Sequence, residues 1–202
     1  MKRAWVLLCL VTVAIAPIAT AGERKAQTEP GAYKGWGPDI DEIEIVKTFA
    51  AKDYEKIVVL PFDTSKIEVK GDKGVVIQGA LDGYTAVFVE GLRSDLKSGA
   101  KVELGDPSKG GAARTLVVRG VVEEISPGSR TKRYVAGFGA GAARNKVSVE
   151  LVDAASGEVL LRFTQAHRSA GTFKFAGGTD AQVLRDGTRA MGEDTAHIID
   201  AF

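Results

Sequence analysis

Cysteine is nearly missing from this 202-residue chain, and the single copy, Cys9, sits inside the opening apolar run. A chain with one thiol, and none after that run, offers no disulfide framework and no paired-cysteine metal site. Histidine is almost as scarce. His167 and His197 fall on different predicted elements, with no second histidine or cysteine at ligand spacing, which argues against a histidine-based metal centre. No stretch after residue 22 approaches the ~20 consecutive apolar residues of a membrane-spanning helix. Heptads and solenoid-length repeats are also lacking. Finally there is no charge excess: 27 basic residues face 26 acidic ones. A nucleic-acid-binding domain usually shows a clear basic surplus, so nucleic acid is not an expected partner.

What is present begins with an export signal. Met1-Lys2-Arg3 is followed by an apolar run over residues 4–16, then Pro17, Ile18 and Ala19-Thr20-Ala21. A basic start, a short apolar stretch and an A-x-A site are the three parts of a secretory signal peptide. Residues 1–21 are read as that peptide, cleaved after Ala21. Cleavage takes Cys9 with it and leaves 25 basic against 26 acidic residues. The mature protein is expected in the periplasm or secreted, and not as a lipoprotein, because no cysteine stands at the cleavage point.

Residues 22–38 are polar and rich in glycine and proline. Such composition buries too little apolar surface to offset chain entropy, so residues 22–54 read as a mobile arm and lead-in. A single α+β domain is expected over 55–202. The branched apolar run 56–62, ended by Pro61-Phe62, suggests a buried strand. A hairpin or long ordered loop is expected over 66–77, and a helix over 80–98, where Leu81, Tyr84, Phe88, Leu92 and Leu96 recur at helical steps. Residues 101–104 and 114–125 read as strands. Val147, Val149 and Leu151 alternate before a turn at 153–157, and Val159, Leu161 and Phe163 alternate after it, the pattern of an antiparallel hairpin. Thr179-Asp180-Ala181-Gln182 matches a capping box ahead of a terminal helix in which Gly187 and Gly192 are expected weak points. Together these imply a mixed four- or five-stranded sheet with two helices packed on one face.

Candidate chemistry is thin. Gly137, Phe138, Gly139, Ala140 and Gly141 make a glycine-rich stretch, but the lysine, hydroxyl and following helix of a phosphate loop are not there. Neither a cofactor nor a catalytic or metal-binding set is expected. The acidic run Asp39, Asp41, Glu42 and Glu44 reads as a solvated segment. Arg130, Lys132 and Arg133 precede the glycine stretch, and Arg144 and Lys146 follow it. If the loop folds back, these five cations gather at one end of the sheet with Gly137, Phe138, Gly139 and Gly141. The edge so formed is a partner- or anion-binding candidate.

Three segments carry a resemblance: residues 54–62, the glycine-rich 137–141, and the hairpin 147–160. In this order they resemble an exported bacterial family known as domain of unknown function 4410, over roughly residues 50–202. The strand ending in Leu60-Pro61-Phe62 is also similar to the periplasmic domain of curli-secretion-type lipoproteins, which implies an anticodon-binding-like α/β sandwich and raises homo-oligomerisation as an expectation. The lipid-bearing cysteine of many such proteins is missing here. The resulting expectation is a non-enzymatic envelope domain whose partner is an envelope protein, a glycan or a lipid headgroup. The alternatives are a self-assembling secretion-type subunit or a hydrolase with a dispersed site.

Overall fold

The computed structural model describes residues 27–37, 39–69, 73–105, 114–128, 143–168 and 179–202. The expected signal peptide and the stretch from Arg130 to Gly141 lie outside them. In chain order the elements are β1 (Gly31–Gly37), β2 (Ile40–Ile45), a short 3-10 turn (Ala51–Asp53), β3 (Lys56–Val59), α1 (Gly74–Asp82), α2 (Tyr84–Asp95), β4 (Lys101–Leu104), β5 (Thr115–Ser126), β6 (Arg144–Asp153), β7 (Val159–Arg168) and α3 (Asp180–Asp200).

The β6–β7 hairpin is the strongest local unit. Asp153 Oδ1 accepts hydrogen bonds from the Ser156 amide and hydroxyl, at 2.7 and 2.8 Å. Gly157 then takes φ +73°, a left-handed backbone that costs glycine little. That turn sets Leu151 opposite Leu161, Val149 opposite Phe163 and Val147 opposite Gln165. Since side chains alternate along a strand, these residues form one buried face. The same face collects Leu116, Val118 and Val122 of β5 and Ile43 and Ile45 of β2.

One mixed sheet of seven strands results, in the order β1-β2-β7-β6-β5-β3-β4. β3 is parallel to β4 and β5, and the other neighbouring pairs are antiparallel. The expected four or five strands are therefore too few. β1 and β2 are the addition: residues 31–37, read from composition as part of a mobile arm, form an edge strand. Its glycines have weak intrinsic strand preference; pairing to β2 holds it, with Trp36 Nε1 donating to Gln27 O and Tyr33 Oη to Glu29 O.

Among the described residues three helices cover the buried face, not two. Among the described residues of 66–77 there is no strand, and 74–77 open α1. Val75, Val76, Ile77, Ala80 and Leu81 sit in α1, where Ile77 turns inward. The expected helix over 80–98 breaks at Gly83, with α1 and α2 meeting at 52°. Phe62 lies against the rings of Tyr84 and Phe88, at 5.7 and 4.8 Å between centroids. Thr179 caps α3 as expected, accepting from the Gln182 amide at 3.2 Å, but the Gln182 side chain bonds Asp186 instead of reaching back. α3 continues unbroken through Gly187 and Gly192. A Cβ on Gly192 would lie 2.1 Å from Phe88 O, and one on Gly91 2.0 Å from Arg189 O. These glycines let α2 and α3 touch backbone to backbone.

Both sheet edges are guarded against pairing with another strand, a known hazard of exposed edges. At β4, Arg93 of α2 donates from Nε and Nη2 to Val102 O, at 3.0 and 2.8 Å. At β1 the register shifts between Lys34 and Gly37.

Candidate functional site

The middle of the sheet face away from the helices is exposed and charged. Across it runs a row contributed by four neighbouring strands: Arg119, Glu150, Arg162 and Glu44. Arg119 Nε lies 2.7 Å from Glu150 Oε2, Arg162 Nε 2.8 Å from Glu150 Oε1, and Arg162 Nη1 3.2 Å from Glu44 Oε2. Partial burial pushes Glu150 up, but the hydrogen bonds from Arg162 and Arg119 outweigh it and hold the carboxyl below its ordinary range. Lys34 pairs with Glu42 at 3.1 Å. So Glu42 and Glu44 of the acidic run are paired on a strand.

Charge stops balancing where β6 and β7 end. Arg144 stands directly opposite Arg168, and Lys146 lies opposite Ala166 on β7 and Glu124 on β5. Alternation along the strand places Arg144, Lys146 and Arg168 on the open face, since Asn145 between the first two is buried. Arg144 Nη1 lies 3.9 Å from Glu124 Oε1. Of the nine residues proposed from sequence, Arg144 and Lys146 are thus brought together at one sheet end. Arg130, Lys132, Arg133, Gly137, Phe138, Gly139 and Gly141 fall outside the described residues. Arg168 was missed: its place opposite Arg144 depends on the irregularity between Leu151 and Val152, which no sequence pattern marks.

Behind that end, on the helix side, lies a buried polar seam. Tyr84 Oη donates to Asn145 Oδ1 at 2.8 Å, and Asn145 Nδ2 to Thr188 Oγ1 at 2.9 Å. Burial, the largest influence, drives the Tyr84 phenol far above its ordinary pKa, so it stays protonated and remains a donor. Two residues along β7 from His167, Gln165 is fully buried; its Nε2 donates to Asp194 Oδ2 at 2.7 Å. Burial raises the Asp194 carboxyl; the Gln165 hydrogen bond opposes this, and the charge of Asp39 adds to it. Gln165 Oε1 and His167 Nδ1 are buried without partners among the described residues, His167 Nδ1 standing 3.9 Å from Asp39 Oδ2. Nothing in the sequence flagged this cluster, because Asp39, Gln165 and Asp194 come from three distant segments. The second histidine, His197, pairs separately with Asp95 of α2. Among the described residues no three histidine, cysteine, aspartate or glutamate side chains converge as metal ligands.

These elements define a two-layer α+β domain, a seven-stranded mixed sheet with helices on one face and a charged, open surface on the other. The chain belongs to the family described as Domain of unknown function (DUF4410), whose model matches residues 58–172. Among solved structures it is similar to a PelC dodecamer from Paraburkholderia phytofirmans (17% identity, TM-score 0.47, covering 75% of this chain and 94% of that one). It is also similar to a lipoprotein from Neisseria meningitidis (15%, TM-score 0.37, 61% and 86%). A third is a neuraminyllactose-binding hemagglutinin homolog from Helicobacter pylori (15%, TM-score 0.36, 75% and 88%). No curated protein matches the chain.

Proposed function

We propose that this chain is an exported, non-enzymatic domain of the periplasm or cell envelope that binds another envelope component at the end of β6 and β7. The rung that sets Arg144 against Arg168 carries the reading. Like charges directly opposite on neighbouring strands repel, and an acidic or phosphorylated partner would turn that repulsion into attraction. The cations Arg130, Lys132 and Arg133 belong to the segment that precedes β6 in sequence, with Gly137, Phe138, Gly139 and Gly141 between. Export is supported by the basic, apolar and small-residue parts of residues 1–21.

Crosslinking in the intact envelope, followed by pull-down and mass analysis, tests the proposal. A defined heteromeric partner is the expected product. A closed ring of identical subunits would replace the proposal with self-assembly. Recovery of the native chain with Met1 and Cys9 still attached, in the cytosolic fraction, would remove it altogether.

A further inference from the structure

We infer that the partner at this sheet end is a phosphate-bearing lipid surface, met by Arg144, Arg168 and Lys146; the inference rests on the binding reading above and names its ligand. The first observation is where charge is left over. Elsewhere on the open face Arg119, Arg162 and Lys34 each stand within 3.2 Å of a carboxylate. At the strand ends the single carboxylate within 4 Å of the three cations, among the described residues, is Glu124, and that contact is 3.9 Å long. Lys146 and Arg168 have no acidic partner among the described residues.

The second observation is their arrangement. Arg144 and Arg168 stand side by side at the sheet end and Lys146 two residues further in along β6, all three facing one side of the sheet. A membrane offers an array of phosphates in a plane, so each cation finds its own, and arginine's planar fork suits phosphate oxygens in pairs.

The third observation is the composition of the chain continuing from these strands. Residues 129–142 and 169–178 together contain four cations (Arg130, Lys132, Arg133, Lys174), four aromatics (Tyr134, Phe138, Phe173, Phe175) and no aspartate or glutamate. Aromatic side chains favour the membrane–water interface, and clustered basic residues are drawn to anionic leaflets.

The test is co-sedimentation of the exported protein with vesicles of phosphatidylglycerol and phosphatidylcholine, against vesicles of phosphatidylcholine alone. Binding to the anionic vesicles only, weakened by salt at roughly 0.5 M, is expected. Each rim arginine contributes about a fivefold gain in partitioning, so Arg144→Gln with Arg168→Gln should lose roughly 25-fold. Arg144→Lys with Arg168→Lys should retain most of the binding. Arg185→Gln, which breaks only a pair with Glu90 across the helices, should change nothing. If the double glutamine variant does not fold, by loss of its melting transition, each single variant carries the same test at about fivefold.

Undiminished vesicle binding by the folded glutamine variants would overturn the inference. So would full competition by free inorganic phosphate at matched ionic strength, which would make the site one for the free ion. If the wild-type protein ignores anionic vesicles while crosslinking still recovers an envelope protein or glycan at this rim, the lipid assignment fails and the envelope-binding reading stands.

Discussion

Adding one methyl group at Gly192 tests the helix packing most directly. An ideal Cβ there lies 2.1 Å from Phe88 O, 2.7 Å from Leu92 N and 3.1 Å from Gly91 Cα. All three atoms are backbone of α2, so no side chain can swing aside. To bring the first contact back to ordinary separation, α2 and α3 must part by about 1 Å, loosening the layer that buries Phe88, Leu92, Met191 and Thr195. Overpacking of this kind costs about 1–3 kcal/mol, and a shift of two backbones falls toward the upper end. Alanine's better helix propensity returns about 1 kcal/mol. Gly192→Ala should therefore destabilise by about 2 kcal/mol, a fall of roughly 4–8 °C in Tm for a chain of this size. The paired control is Gly79→Ala in α1, where nothing lies within 4 Å of the new atom; it should stabilise by roughly 0.5–1 kcal/mol. Thermal unfolding followed by circular dichroism reads both. A Gly192→Ala protein that melts at or above the wild-type temperature would refute the backbone contact.

Three further outcomes follow from the fold. Tyr84→Phe removes the donor to Asn145 Oδ1 inside the core, so urea unfolding should show a loss of about 1–3 kcal/mol; an unchanged midpoint would contradict the assignment. Arg93→Ala uncovers Val102 O on the β4 edge and should bring concentration-dependent self-association by light scattering, whereas a variant as dispersed as wild type would show that Arg93 does not guard the edge. Asp194 gives a pH signature. Its pKa is raised on folding, so the native state holds the proton more tightly than the unfolded chain does. Its contribution therefore favours folding at acid pH and fades as pH rises through the carboxylate range. Asp194→Asn, which keeps an acceptor for Gln165, should accordingly raise Tm at neutral pH, with the gain shrinking below about pH 4; a neutral-pH loss would contradict this.

Much of the local structure was legible because its cause is local. Apolar alternation on both sides of the Asp153–Gly157 turn is enough to specify β6 and β7, since a one-residue slip would turn every buried side chain outward. The Thr179 cap and the Leu184, Met191, Ile198 spacing likewise mark α3. Other elements resisted because their stability comes from partners. β1 has the composition of a loop and becomes a strand by pairing. α1 carries apolar residues on every side, a pattern that does not distinguish a helix from a strand. Gly192 looks like a defect until α2 lies against it, and Gly187 until His167 of β7 does.

At the site the same division holds. Alternation about the turn puts Arg144, Lys146 and Arg168 on one face by sequence alone, but the irregularity between Leu151 and Val152 is what sets Arg144 across from Arg168. The alternating row from Arg119 to Glu44 needed more, because β5 and β2 reach the hairpin only through long connections, and so did the seam that gathers Asp39, Gln165, His167 and Asp194. Neighbours a few residues apart are fixed by backbone geometry, which any stretch of sequence carries within itself. Neighbours a hundred residues apart are fixed by which apolar faces bury one another, and that is decided only when the whole chain packs.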